Sequence, residues 1–250
     1  MNNASLISLE NVSFSFDAET VLDRISLEVN EGEFLGIIGP NGGGKTTLLR
    51  LMLGLIQPGS GSVKLFGQPI RAFRDWSKIG YIPQKATHIE SRFPYTVEEV
   101  VLLGRISKVG MLHRFRSSDK DEVGKALEQV DMLPFRKRLI TELSGGQQQK
   151  VFIAKGLVSN PAVLILDEPT VGVDIKSQDE FYHLLSRLNE ENHMTLVVVS
   201  HDIDVIANEV NSLACLNQTL CYHGEPEEFI KGDYLENLYG QGRKFILHGH

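Results

Sequence analysis

The chain has 250 residues, 42% of them hydrophobic, enough to bury a sizeable core without a disulfide or structural metal. Thirty-two Asp and Glu against 25 Lys and Arg give a formal charge of −7, which opposes nonspecific adsorption to nucleic acid or anionic lipid. Apolar runs such as Ala162 to Leu166 and Leu196 to Val199 fall far short of the roughly twenty residues a spanning helix needs, so no membrane span is expected.

Met1 to Ser5 lacks the basic region and long apolar stretch of a secretory leader, so a cytoplasmic chain is expected. Ile7 to Phe16 and Ile25 to Val29 alternate apolar and polar residues, as half-buried antiparallel strands do. Phe34 to Ile38 is a short apolar run that ends in glycines and is followed by Leu48, Leu49, Leu51, Met52 and Leu55 at helical spacing. That order predicts strand, glycine-rich loop, helix. Ile79 to Pro83, Val163 to Leu166 and Leu196 to Val199 fit strands covered on both faces in a parallel sheet. Phe181, Leu184, Leu185 and Leu188 mark an amphipathic helix between the last two.

The stretch from Lys85 to Asn160 lacks strand signals and carries helical patterns over Val97 to Leu103 and Val123 to Val130. It is expected to be a helical subdomain (85–160) inserted into an α/β core (1–84 and 161–224), with a tail over 225–250, all within one domain. Cys215 and Cys221 lie six apart with no second pair, and they are expected to be reduced small hydrophobes. His248 and His250 lack the four ligands of a structural metal site and are expected to be a solvated tail.

Gly39-Pro40-Asn41-Gly42-Gly43-Gly44-Lys45-Thr46 matches G-x-x-x-x-G-K-[ST] in the strand-to-helix setting that this pattern requires. Glycines let the backbone turn successive N–H groups toward one point, and the helix that follows offers its positive end to phosphate. Lys45 can then reach the β- and γ-phosphates, Thr46 can ligate Mg²⁺, and Thr47 can add a bond to the nucleotide. Val163 to Leu166 ends in Asp167 and Glu168, which a strand of the same sheet would deliver to its carboxyl edge, where open α/β sheets bind ligands. There Asp167 can hold Mg²⁺ and Glu168 can act as general base on the attacking water.

Leu143-Ser144-Gly145-Gly146-Gln147 precedes a predicted helix over Gln147 to Val158, so Ser144 is either an ordinary N-cap or part of an anion site. This string resembles the signature of the ABC transporter ATPases, and other motifs follow in that family's order from about Ile7 to Gly224. The resemblance implies a P-loop α/β fold with an N-terminal antiparallel β-layer and an inserted helical subdomain. It implies ATP hydrolysis with Mg²⁺ in a homodimer, where Ser144, Gly145, Gly146 and Gln147 of one copy serve the nucleotide of the other. It further implies that Phe16 stacks on adenine, Gln84 contacts Mg²⁺ and couples to the membrane partner, Asp174 belongs to the D-loop, and His201 bonds the γ-phosphate. On its own, Phe16 reads as core. Gly43 and Lys150 depart from the commoner residues at their positions without removing a catalytic group.

A single cassette without fused membrane helices resembles importer ATPases. Thr170 to Asp174, Arg92 to Val101 and Gly104-Arg105 resemble the zinc and manganese uptake group. That resemblance implies separate permease subunits, an extracytoplasmic metal-binding protein, a peripheral place on the cytoplasmic face of the membrane, and no nucleic acid. The alternatives are an importer ATPase for another solute such as an iron chelate, or a soluble ATPase of the family acting on nucleic acid or the ribosome. A regulator that binds ATP without hydrolysing it is expected to lack Glu168 or His201.

Overall fold

The computed structural model describes residues 4–84, 94–110, 114–170, 175–200, 203–232 and 234. Contacts divide the chain into two compact units, Met1–Arg74 with His193–His250, and Asp75–Asn192.

The first unit opens on Ser5–Phe16 (β1) and Glu19–Asn30 (β2), an antiparallel pair. The apolar period of both strands breaks once: Ile7, Leu9, Val12 in β1 and Leu22, Ile25, Leu27, Val29 in β2 are all 2% exposed or less. An extra residue would turn every later side chain to the wrong face unless a bulge absorbs it. Asn11 and Arg24 supply the bulges, at φ 48° and 50°, with the Asn11 N–H bonded to Ser26 Oγ and the Arg24 N–H to Ser13 Oγ. Each buried leucine or isoleucine then contributes about 1.5–3 kcal/mol relative to exposure.

Phe34–Ile38 (β3) is buried throughout and leads to Lys45–Met52 (α1), which packs on β2 and on Ser60–Leu65 (β4). β4 pairs with β1 and with the short Gln68–Pro69 (β5), giving a sheet of order β2-β1-β4-β5.

The second unit begins with Ile79–Ile82 (β6), followed by Val97–Leu102 (α2), Ile106–Val109 (α3), Ser117–Gln129 (α4) and Gly145–Leu157 (α5). Val163–Asp167 (β7) pairs parallel with β6, and Ile175–Asn192 (α6) follows. Among the described residues of 94–160 there is no strand, only the isolated bridge between Thr96 and Leu139. Thr96 starts α2 with a capping box, its Oγ1 accepting from the Glu99 N–H while Glu99 Oε2 accepts from the Thr96 N–H.

The chain returns to the first unit with Thr195–Val199 (β8), Ile203–Glu209 (α7), Ser212–Asn217 (β9), Thr219–Gly224 (β10) and Pro226–Lys231 (α8). β3 lies parallel between β8 and β9, and β10 pairs antiparallel with β9. The exposed alternation of β10 marks it as a sheet edge.

Two charge clusters tie the helices of the second unit together. Arg105 donates to Asp119 Oδ1 from Nε at 3.1 Å and Nη2 at 3.0 Å, and from Nη1 to the Val158 carbonyl at 3.2 Å, with both side chains nearly buried. Arg136 grips Glu98 bidentately at 2.9 and 3.2 Å, and Lys137 adds a contact at 2.8 Å. The Arg136 bonds hold the Glu98 carboxyl at about 2, well below its ordinary 4.5.

Because the folded-state value is depressed, the stabilisation from Glu98 is present above pH ~4.5 and is lost as pH falls toward 2. Lys137 is largely exposed, so Arg136 carries most of the pair. Glu98→Gln should lower unfolding free energy at pH 7 by about 1–3 kcal/mol. In urea titrations the gap to wild type should narrow as pH drops below 4.5; a gap independent of pH would refute the assignment.

Candidate nucleotide-binding site

Between the end of β3 at Ile38 and the start of α1 at Lys45 lies the loop Gly39–Gly44. Gly39, Gly42 and Gly44 have φ of 149°, 80° and 95°, conformations that favour glycine. A Cβ at Gly39 would stand 1.9 Å from the Leu216 carbonyl oxygen, and one at Gly44 would stand 2.6 Å from Leu22 Cδ2. At Gly43, the departure noted above, a Cβ would come within 2.9 Å of the same Leu216 oxygen. The loop is thus wedged against β9 and β2, and the Gln218 N–H bonds the Gly43 carbonyl at 3.0 Å. At Gly42 an added Cβ would meet nothing within 4 Å, so the loop opens on that side.

Lys45 is 5% exposed and lies back across the loop, its Nζ donating to the carbonyls of Gly39 at 2.8 Å and Pro40 at 3.0 Å. Those bonds fix the ammonium over the loop. Asn41 and Thr46 are exposed, Thr47 is buried, and the first turn of α1 holds no acidic residue. A backbone cradle that side chains would fill, a held ammonium and an uncompensated helix N-terminus fit a polyphosphate.

In the second unit β7 is buried along its length, and Asp167, its last residue, is 4% exposed. Glu168 follows at φ 45°, a left-handed conformation that costs a non-glycine residue about 1–2 kcal/mol. The parallel register pairs Ile82 with Leu166, so Gln84 and Glu168 each stand two residues beyond a matched pair. Gln84 Nε2 accordingly donates to Glu168 Oε2 at 2.6 Å. That bond joins two residues that are 84 apart in the chain.

Ser144 caps α5 with a full box: its Oγ accepts from the Gln147 N–H, and Gln147 Oε1 accepts from the Ser144 N–H. Ser144 and Gly145 are exposed, no acidic residue lies in the first turn, and a Cβ at Gly145 would meet nothing within 4 Å. An anion can therefore reach the exposed start of this helix. Gly146 sits against Ser177 of α6, where an added Cβ would be 3.4 Å away.

Phe16 ends β1 at 49% exposure, touching Phe14 edge-on at 4.8 Å. The core reading of Phe16 is therefore wrong, since a residue at the strand's outer end has no layer above it. Asp174, His201, the Val171 to Val173 stretch, Arg92, Phe93, His248 and His250 lie outside the described residues. Cys215 and Cys221 are free thiols on neighbouring strands, with Cys221 Sγ donating to the Cys215 carbonyl at 3.2 Å. The side-chain hydrogen bond with Cys221 and, after it, burial push the Cys215 thiol up. Among the described residues no group of three or more His, Cys, Asp or Glu could hold a metal ion, and no helix is long and apolar enough to cross a membrane.

Gln149, which no local pattern singles out, is 3% exposed and donates from Nε2 to the Pro169 carbonyl at 2.7 Å. Its only signal was a third consecutive glutamine, which does not say which of the three is buried.

The family model for ABC transporters matches residues 22–171, a span that takes in the loop, the start of α5 and the two carboxylates. A zinc uptake system ATP-binding protein of Listeria monocytogenes is 45% identical over 224 residues, covering 90% of this chain and 87% of that protein. A manganese transport system ATP-binding protein of the same species is 37% identical over 94% of this chain and 96% of that one. Among solved structures, a dimeric ATP-binding cassette in a post-hydrolysis state with ADP and Pi matches with a TM-score of 0.70 at 28% identity, covering 88% and 98% of the two chains. The predicted P-loop α/β architecture is thus that of these cassettes, and the chain belongs to the ABC transporter family as one of its ATP-binding, ATP-hydrolysing subunits.

Proposed function

We propose that this chain powers a divalent-metal importer, for zinc or manganese, as a homodimer on the cytoplasmic face of the membrane beneath separate permease subunits. The observation that carries the metal assignment is identity of 45% and 37% to zinc and manganese uptake ATPases over nine-tenths of the chain or more. The metal ion is cargo, received from an extracytoplasmic binding protein and passed through the permease. Gln84 couples the nucleotide to the permease.

In this reading Gly39 to Thr47 wrap the phosphates, Lys45 meets the β- and γ-phosphates, and Phe16 stacks on adenine, which its exposure supports. Thr46, Gln84 and Asp167 supply oxygen donors suited to Mg²⁺, which when bound offsets phosphate charge. Glu168 takes a proton from the attacking water as its oxygen bonds the γ-phosphorus and the bond to the bridging oxygen of ADP breaks. The amide of Gln84, donating to Glu168 Oε2 at 2.6 Å, holds that carboxylate in place. The second copy closes the site with its own Ser144, Gly145, Gly146 and Gln147, His201 bonds the γ-phosphate, and Asp174 belongs to the D-loop at the nucleotide.

Three measurements test this. Lys45→Ala should lose most ATP binding or turnover, because the point charge on the phosphates disappears; wild-type turnover would contradict the role. Glu168→Gln should cut phosphate release by about 10²–10⁴ while ATP affinity changes little, and ATP-bound dimer should accumulate on size exclusion. Near-normal hydrolysis would remove Glu168 from the reaction. Deleting the gene should slow growth in chelator-treated medium, and zinc or manganese should restore it. Rescue by an iron chelate or another solute instead would reassign the cargo and leave the ATPase reading intact.

A further inference from the structure

The bond from Gln149 to Pro169 crosses from the helix that begins at the signature to the segment that follows Glu168. Gln149 sits on the second turn of α5, and a backbone carbonyl can only accept, so the amide's NH₂ end faces Pro169. Its Oε1 is buried without a hydrogen-bond partner among the described residues, beside a cavity of about 10 Å³ lined by Ile82, Pro83, Gln84, Phe152, Pro169 and Phe181. An amide that leaves one polar end unbonded in a buried, largely apolar setting is a poor device for stability alone. Its value lies in what the other end holds.

That end holds the peptide next to a strained residue. Glu168 keeps its left-handed φ of 45° only if the chain on both sides is fixed. On the N-terminal side β7 fixes it through the ladder with β6. On the C-terminal side the ring of Pro169 sets its own φ, Gln149 fixes its carbonyl, and Gln178 of α6 bonds the next carbonyl, Thr170, at 3.3 Å. Beyond Glu168, then, two glutamines from two helices hold consecutive carbonyls.

We propose that Gln149 is a positioning residue for hydrolysis: through the Pro169 carbonyl it aims the Glu168 carboxylate and links that aim to the placement of the signature helix. At 3% exposure Gln149 acts through the Pro169 carbonyl, and the inference rests on Glu168 as the group that activates water. A shift of α5, on which Ser144 and Gly145 stand, moves the donor to Pro169 as well. Closure of the signature on a second copy's nucleotide would thus be felt at the first copy's own Glu168.

The test is a double-mutant cycle on the full-length protein. Gln149→Met keeps the volume and removes the donor. It should lower kcat for ATP by about 10-fold or more with KM within about twofold, since misplacing a catalytic group costs rate rather than binding. In the Glu168→Gln background the same change should cost less than about twofold, because there is no carboxylate left to aim.

Gln149→Glu gives an independent readout. Buried, its carboxyl is raised, and only the protonated acid can donate to the Pro169 carbonyl, so the ratio of its kcat to wild type should climb as pH falls from 8 to 6. Wild-type kcat in Gln149→Met, equal losses in both backgrounds, or a flat ratio for Gln149→Glu would each overturn the proposal. If Glu168→Gln alone turned over normally, the reading of Glu168 would fail first, and that outcome is visible before Gln149 is changed.

Discussion

The candidate phosphate cradle depends on a single steric constraint, the room left by absent side chains between the loop after β3 and the end of β9. The Leu216 carbonyl occupies the place where a Cβ on Gly39 would go, and the same oxygen crowds Gly43. The loop therefore leans on β9 and bonds it through the Gln218 N–H. With that support its carbonyls at Gly39 and Pro40 stay where Lys45 can bond them. The loop's own carbonyls thus order the ammonium beside the glycines.

In the second unit the corresponding constraint is strand register. Parallel pairing of β6 with β7 brings the positions two residues past the matched pair Ile82 and Leu166 to the same level, and Gln84 meets Glu168 there. Glu168 pays for this placement in backbone conformation, and the neighbouring carbonyls are tied down by Gln149 and Gln178. The consecutive glutamines of α5 divide the labour: Gln147 closes the cap on Ser144, Gln148 bonds the carbonyls of Ile140 and Leu143, and Gln149 reaches Pro169. Cap, helix and carboxylate loop are thereby connected by side chains that leave the helix within one turn.

Charge serves the helices of this unit differently. Arg105 with Asp119 is nearly buried and Arg136 with Glu98 partly so, and both arginines bond backbone carbonyls as well as their carboxylates. Such pairs contribute less to net stability than their Coulomb attraction suggests, because desolvation offsets much of it. They do fix how α2, α4 and α5 meet, since losing either partner leaves a charge stranded.

Hydrophobic period and turn chemistry act locally, and they place β1, β3, α1, β6, α2, α5, β7 and β8 within about three residues, whereas the expected starts of β2, α4 and α6 fall six residues inside the observed ones. They also located the loop, the two carboxylates and the cap at Ser144. The elements passed over are those whose pattern is short or half-exposed. β4 buries only Val63 and Leu65, and β10 alternates along an open edge. β9 offers six residues beside a strand far away in the chain.

Which glutamine is buried, whether Phe16 faces core or solvent, and that Cys221 lies against Cys215 were decided by tertiary structure. Each depends on strands and helices distant in the chain. Sequence by itself determined a glycine-rich loop ending in a lysine, a pair of carboxylates and a serine at the start of a helix, because those signals sit in contiguous residues. Only the fold decided that Gln84 meets Glu168 and that Gln149 holds the peptide beside it, because register and helix packing bring together groups that no local pattern connects.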